Sequence, residues 1–187
     1  MRISIYSKIN VVIVIGFLNT FLVGCSIMSV NQNDSTAVSK AVEVTQDNKT
    51  GMSHYQGPTI SNSPKQNNNA EFQEMALHAT KSAHGSIRYF LTLTDHYEGA
   101  WRIYIRAIDD AGQVFHASAV RNHVKCELFC EINDGLDIEL TSEYMNQHKD
   151  KGITMRLYGP TQISSAPFTL SASYIKGFLQ SGAFKAQ

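Results

Sequence analysis

The 187-residue chain has no excess of charge of either sign, because 16 Lys and Arg residues balance 16 Asp and Glu residues. Nucleic-acid-binding proteins usually carry a clear basic excess, since phosphate contacts dominate their affinity. Polybasic modules that bind membrane surfaces need a similar excess. The balance therefore argues against nucleic acid as a partner and against a polybasic membrane-surface module.

Common catalytic and metal-binding motifs are also missing from the sequence. It has no Gly-x-Ser-x-Gly nucleophile motif and no Gly-rich phosphate loop. No two of its seven histidines have the His-x-x-x-His spacing of a helical zinc site. We therefore expect no enzymatic activity, no cofactor and no catalytic residues, and scattered surface histidines in place of a metal site.

The first 24 residues have the pattern of a secretory signal. Arg2 and Lys8 give a positive start, and an apolar run from Val11 to Leu18 follows. A spanning helix needs about 20 predominantly apolar residues, and this run is shorter and is interrupted at Asn19. A signal peptide at residues 1–24 that is cleaved is the better interpretation.

The end of this segment, Leu22-Val23-Gly24-Cys25, resembles the lipobox of bacterial lipoproteins. The resemblance implies that Cys25 becomes the first residue of the mature chain and carries a diacylglycerol on sulfur and an acyl group on nitrogen. Several acyl chains hold a protein firmly in a bilayer. Ser26 stands where the enterobacterial sorting rule has Asp for inner-membrane retention, so the resemblance favours the outer membrane, with the domain facing the periplasm or the surface.

Residues 25–70 are predicted to be a lipidated cysteine followed by a flexible polar tether. Asn, Gln, Ser, Thr and Lys dominate this stretch, which offers little apolar surface to offset the entropy of ordering. About 45 residues of random coil span roughly 35–40 Å. Residues 54–60 interrupt the polar pattern: Tyr55 and Ile60 either anchor an extended segment on the domain or belong to an isolated turn.

Residues 71–187 are predicted to form one small domain that is mainly β, with α+β as the alternative. Helical spacing over residues 71–83 predicts a short amphipathic helix. Alternation over residues 87–94 and 101–107 predicts strands, with Trp101, Ile103 and Ile105 on the buried side. The absence of long helices alternating with strands favours a single antiparallel sheet or sandwich with short flanking helices.

Turn and cap signals place the remaining elements. Residues 109–112 and 133–135 carry turn sequences, the first of them before a returning strand at residues 113–120. Later strands are expected at residues 136–140, 153–157 and 168–170. Two short helices are expected over residues 142–151 and 172–180, with Ser142 and Ser171 as their N-caps.

Cys126 and Cys130 are the two cysteines besides Cys25. In an oxidising compartment, two nearby thiols most simply form a disulfide. The three intervening residues fit either a hairpin loop or one helical turn. Two thiolates and an imidazole also suit copper(I), so copper handling through this pair is the alternative.

Two further groups of residues are candidate sites. Glu131, Asp134, Asp137 and Glu139 suggest a calcium loop, but their spacing does not match an EF-hand and favours a solvated acidic turn. Four aromatic residues suggest a binding face, although strand alternation already explains them as packing residues. These four are Tyr89, Phe90, Trp101 and Tyr104.

Together these features predict a lipid-anchored envelope protein that acts as a binding module. We expect it to contact the membrane through its N-terminal lipid and to bind another envelope or extracellular protein. The alternative is a periplasmic copper-handling lipoprotein that uses the Cys126–Cys130 pair.

Overall fold

The computed structural model describes residues 30–61, 72, 74–98, 102–126, 130–160 and 163–181, with the backbone alone for 95–98, 121–126 and 130–134. Within these residues, strands dominate and three short helices accompany them. The predicted fold class, a mainly β domain with an antiparallel sheet and short helices, is confirmed. The predicted signal peptide and Cys25 lie outside the described residues.

The described elements follow one another with short connections. The strands are β1 (Glu43–Asp47), β2 (Met52–Gln56), β3 (Ile60–Ser61), β4 (Glu74–Lys81), β5 (Ile87–Glu98), β6 (Arg106–Asp109), β7 (Val114–Cys126), β8 (Cys130–Leu140), β9 (Ile153–Tyr158) and β10 (Phe168–Leu170). The helices are α1 (Ser35–Ala41), α2 (Ser142–His148) and α3 (Ala172–Gln180).

All described strands belong to one antiparallel sheet that curls around the helices. Its order is β1-β2-β4-β5-β8-β7-β6-β9-β10, and β3 pairs with β4 beside β2. Phe72, just before β4, meets Tyr104 and Phe168 edge to face, with ring centroids 6.2 Å and 5.7 Å apart. The curl therefore brings the start of β4 and the last strand, β10, which are far apart in the strand order, into contact within a common core.

Helix α3 fills the inside of the curled sheet. Tyr174, Ile175 and Phe178 on α3 are fully buried against inward-facing side chains such as Leu77 and Leu91. Burying one large apolar side chain contributes roughly 1.5–3 kcal/mol. Ser171 caps α3 through the Tyr174 amide, as the sequence predicts, whereas α2 is capped by Thr141 and not by Ser142.

The prediction of a flexible tether is wrong for residues 35–61. Asp34 caps α1, and β2 and β3 both pair with β4. Tyr55 and Ile60 are buried, so the docking alternative for residues 54–60 is confirmed. The composition of residues 35–61 offers little apolar surface, but backbone hydrogen bonds to β4 and a few buried apolar side chains stabilise the segment instead. Residues 25–29 and 62–70 of the predicted tether lie outside the described residues.

The helix predicted over residues 71–83 is instead strand β4. Its Met75, Leu77 and Ala79 face the core at strand spacing. The prediction failed because small alanines at positions 76, 79 and 83 satisfy a helical period as readily as a strand period.

Two further expectations are corrected by the strand registers. Ile103 and Ile105 are 56% and 43% exposed while Tyr104 is buried, so the alternation has the opposite phase to the predicted one, and strand β6 begins only at Arg106. The predicted turn at residues 133–135 lies inside β8, where Gly135 pairs with Thr94 and stands beside a bulge in β7. Glycine in a strand interior often marks such a bulge.

Candidate functional site

The face of the sheet opposite the helices carries a cluster of polar and aromatic side chains. Strand register pairs His78 with Phe90, Phe90 with Glu139, and Thr92 with Asp137. The side chains alternate with buried residues such as Leu91 and therefore point away from the core. We call this set the outer-face cluster: His78, Arg88, Phe90, Thr92, Asp137 and Glu139.

Thr92 lies at the centre of the cluster and joins two strands. Its hydroxyl donates to Oδ1 of Asp137 over 2.6 Å, and its oxygen lies 2.9 Å from Nδ1 of His78. Because the single hydroxyl proton goes to the carboxylate, the Thr92 oxygen accepts from Nδ1–H of His78. The arrangement therefore favours the Nδ1–H tautomer of His78, whose Nε2 lies 3.6 Å from Oδ2 of Asp137.

His78 is held between a ring and a carboxylate. Its imidazole stacks on Phe90 with centroids 4.9 Å apart and an angle of 14°. Burial lowers the pKa of His78 below its ordinary value, although the Asp137 carboxylate opposes that shift. The neutral imidazole is therefore favoured down to a lower pH than in an exposed histidine.

Arg88 completes the cluster on its exposed side. Its Nε and Nη2 atoms each donate to Glu139 over 2.8 Å, a bidentate geometry. These hydrogen bonds lower the pKa of Glu139 and raise the pKa of Arg88. The guanidinium carbon lies 5.1 Å from the Phe90 ring centroid, so Phe90 is in contact with Arg88 as well as with His78.

The hydrogen-bond directions are unsuited to nucleophile activation. In a hydrolase triad the histidine accepts the proton of the nucleophile, and an acid orients the histidine. In the outer-face cluster the Thr92 proton is directed at Asp137, and His78 donates to Thr92. The arrangement instead presents a charged group, an aromatic ring and a hydrogen-bonded imidazole in fixed positions, which suits recognition of a polar surface.

Cys126 and Cys130 occupy paired positions at the end of the β7–β8 hairpin. The backbone register makes them direct partners across the two strands. Of the two geometries that the sequence allowed, the hairpin is therefore the one that the backbone adopts. Because the structure gives no account of their side chains, the disulfide stays a prediction.

The other predicted site residues are dispersed or buried. Tyr89 and Tyr104 belong to the core, Phe90 faces outward, and Trp101 lies outside the described residues. His54 and His116 lie on β2 and β7, and His148 ends α2. Of the four acidic residues, all of which lie along β8, Asp137 and Glu139 enter the outer-face cluster.

Sequence reasoning missed the pairing of His78, Thr92 and Asp137, which are up to 59 positions apart. Recognising β4 as a strand would have placed His78 on an outward position, but the register between strands carries no local signal. Ser173 and Lys176 on α3 have Ser-x-x-Lys spacing, a pattern that sequence reasoning also missed. The Lys176 amine lies 3.4 Å from Asp150, so it is directed at an exposed carboxylate.

Comparison of the chain with protein-family models, with curated proteins and with solved structures finds no match. In the described part of the chain, no set of three or more His, Cys, Asp or Glu side chains is placed to hold a metal ion. None of the three described helices is long and apolar enough to cross a membrane.

Proposed function

We propose that the mature chain is a lipid-anchored module of the bacterial outer membrane that binds another envelope or extracellular protein. The lipobox at residues 22–25 supports the anchor and the compartment. We further propose that the domain acts by binding and not by catalysis.

The outer-face cluster is the observation that carries the binding role. Arginine and aromatic side chains are enriched at the centres of protein interfaces. Arg88 and Phe90 are held by Glu139 and His78 before any partner arrives. Because ordering flexible side chains costs free energy on association, groups that are already ordered bind more favourably.

Crosslinking in intact envelopes tests this role with the full acylated protein. The double variant Arg88→Gln and Phe90→Ser removes the centre of the cluster. A matched control is Arg106→Gln with Tyr158→Ser, since Arg106 lies 5.9 Å from the Tyr158 ring and the pair is on strands farther along the sheet.

A protein adduct that is lost in the first variant and retained in the control supports the proposal. Recovery of only lipid and abundant porins with the unchanged protein contradicts the protein-partner role. An adduct that survives in both variants, or disappears in both, contradicts the assignment of the outer-face cluster as the binding site.

Copper handling is the second candidate, favoured by the direct pairing of Cys126 and Cys130 across the hairpin. Two adjacent thiolates suit copper(I). Stoichiometric copper(I) uptake that is lost in Cys126→Ser would support this alternative. Absence of free thiols in the native protein would contradict it.

A further inference from the structure

The connection between Cys25 and the folded domain is short. The Ser171 hydroxyl donates to the Gln32 carbonyl over 2.6 Å, and the Ser171 amide donates to the Gln32 side chain over 3.3 Å. Val30 packs at the edge of the core. Seven residue steps separate Cys25 from Gln32, so the two are at most about 25 Å apart in a fully extended chain.

The hydrogen bonds between Gln32 and Ser171 determine which part of the domain lies near the bilayer. If Cys25 carries lipid, as in the proposed function, the start of α3 is held within about 25 Å of the lipidated residue. A random coil through residue 70 would instead have lifted the domain clear of the headgroups. The surface around Ser171 is therefore the part of the domain that a lipid on Cys25 would keep within this distance of the bilayer.

A basic turn lies beside Ser171. It follows α2 and ends at Gly152, where an added Cβ would lie 2.9 Å from the Leu170 carbonyl and 3.3 Å from the Ala172 amide. Lys149, Asp150 and Lys151 form this turn, and all three are exposed. The turn thus presents two ammonium groups and one carboxylate next to the docked N-terminal segment.

A cavity opens between this turn and α3. Its volume is about 360 Å³, and Lys149 and Lys176 supply cationic groups to its wall. Asp150 also lines the cavity and lies 3.4 Å from the Lys176 amine. With Lys151 beside it, the site has three lysines and one aspartate, a local excess of positive charge in a chain whose total charge is zero. The remaining lining residues are Asn146, Leu179 and Gln180.

We propose that this cavity binds the phosphate group of an anionic phospholipid and gives the domain a second contact with the membrane. The proposal rests on the proposed function for the position of the bilayer. Each lysine near an anionic surface raises membrane partitioning roughly fivefold. Two lysines at the cavity are therefore expected to contribute about 25-fold.

Vesicle binding tests the proposal without the acyl chains. The probe protein is residues 25–187 with Cys25→Ser, produced without residues 1–24. It is sedimented with vesicles of phosphatidylglycerol mixed with phosphatidylcholine, or of phosphatidylcholine alone. The test variant is Lys149→Gln with Lys176→Gln. The control, Lys49→Gln with Lys81→Gln, removes the same charge from the β1–β2 turn and β4.

We expect binding to the anionic vesicles that falls about tenfold or more in the test variant and remains in the control. Equal binding to phosphatidylcholine vesicles, or an equal loss in both variants, overturns the proposal. Inorganic phosphate is a separate arm: if the unchanged protein binds millimolar phosphate, and the test variant does not, while anionic vesicles are not bound, the cavity is a free-anion site and the lipid assignment is wrong.

This experiment separates failure of the inference from failure of the proposed function. It needs neither acylation of Cys25 nor a protein partner, so a negative result leaves the crosslinking result unaffected. Conversely, anionic vesicle binding by a chain that proves unlipidated in cells would retain the cavity assignment and contradict the anchor.

Discussion

Gly177 of α3 faces Val38 of α1 with no room for a side chain between them. A Cβ at position 177 would lie 2.8 Å from the Val38 Cβ and would also collide with the Ser35 carbonyl. This close approach holds α1, which belongs to the predicted tether, against the central helix of the domain. The segment that follows the predicted lipidation site, Cys25, is thereby part of the fold.

Gly177→Ala is expected to destabilise the protein. Overpacking costs about 1–3 kcal/mol, and the better helix propensity of alanine returns up to about 1 kcal/mol. We expect a net loss of about 1–2 kcal/mol in the free energy of unfolding, measured with urea. Gln180→Ala, on the exposed side of α3, is the control and should change stability by less than about 0.5 kcal/mol. A stabilised Gly177→Ala would contradict the tight helix contact.

Tyr174→Phe is expected to loosen the same N-terminal region from another side. The Tyr174 hydroxyl donates to the Pro58 carbonyl over 2.6 Å and accepts from the Leu77 amide over 3.3 Å. Removing it leaves a buried amide and a partly buried carbonyl without that partner, which costs about 1–3 kcal/mol. Thermal unfolding of Tyr174→Phe should show this loss, whereas Tyr158→Phe, with a half-buried ring, should be close to neutral. Equal stability of the two variants would mean that Pro58 is not held by α3.

His78 is expected to make the protein less stable in acid. Since burial lowers the pKa of His78 in the folded state, the unfolded chain binds the proton more tightly. The free energy of unfolding that neutral His78 contributes is complete above the unfolded pKa of about 6.5. It declines as the pH falls through that value toward the lower pKa of the folded state. Urea unfolding between pH 8 and pH 5 should therefore show a smaller loss of stability in His78→Gln than in the unchanged protein. His84→Gln, in an exposed turn, serves as the control and should keep the original pH dependence. If His78→Gln also keeps the original pH dependence of stability, His78 does not cause the loss of stability in acid.

Cys126 and Cys130 are expected to be joined in the native protein. A thiol titration of the mature chain with Cys25→Ser should find no free thiols until a reductant is added. Closing a five-residue loop stabilises the fold by roughly 2 kcal/mol in the chain-entropy model, so Cys126→Ser should lose about that amount. Two reactive thiols in the native protein would contradict the disulfide and favour the copper alternative.

The sequence predicts best where the local signal and the tertiary environment agree. Helix α3 follows its serine cap and its apolar stripe, and the turn at residues 109–112 forms with Gly112 at a positive φ of 84°. Ser171 is a residue type that caps helices, and Gly112 is the residue type that adopts a positive φ most easily, so the local sequence and the local structure agree.

Local sequence patterns predict the wrong structure where pairing with distant strands stabilises a segment. Strand β1 is polar and exposed along nearly its whole length, and its place in the fold comes from backbone pairing with β2. Asp134 and Gly135 have turn chemistry but continue β8, because β5 and β7 pair with it on both sides. The outer-face cluster depends on the same registers, which no window of the sequence contains.

The mass of the mature N-terminus tests the account most directly, because both the anchor and the membrane-facing orientation depend on it. Protein extracted from membranes should begin at Cys25 and carry a diacylglycerol and an acyl chain, and Cys25→Ser should leave the chain unmodified and uncleaved at that position. A mature chain with an unmodified Cys25, or one that still begins at Met1, would contradict the central claim.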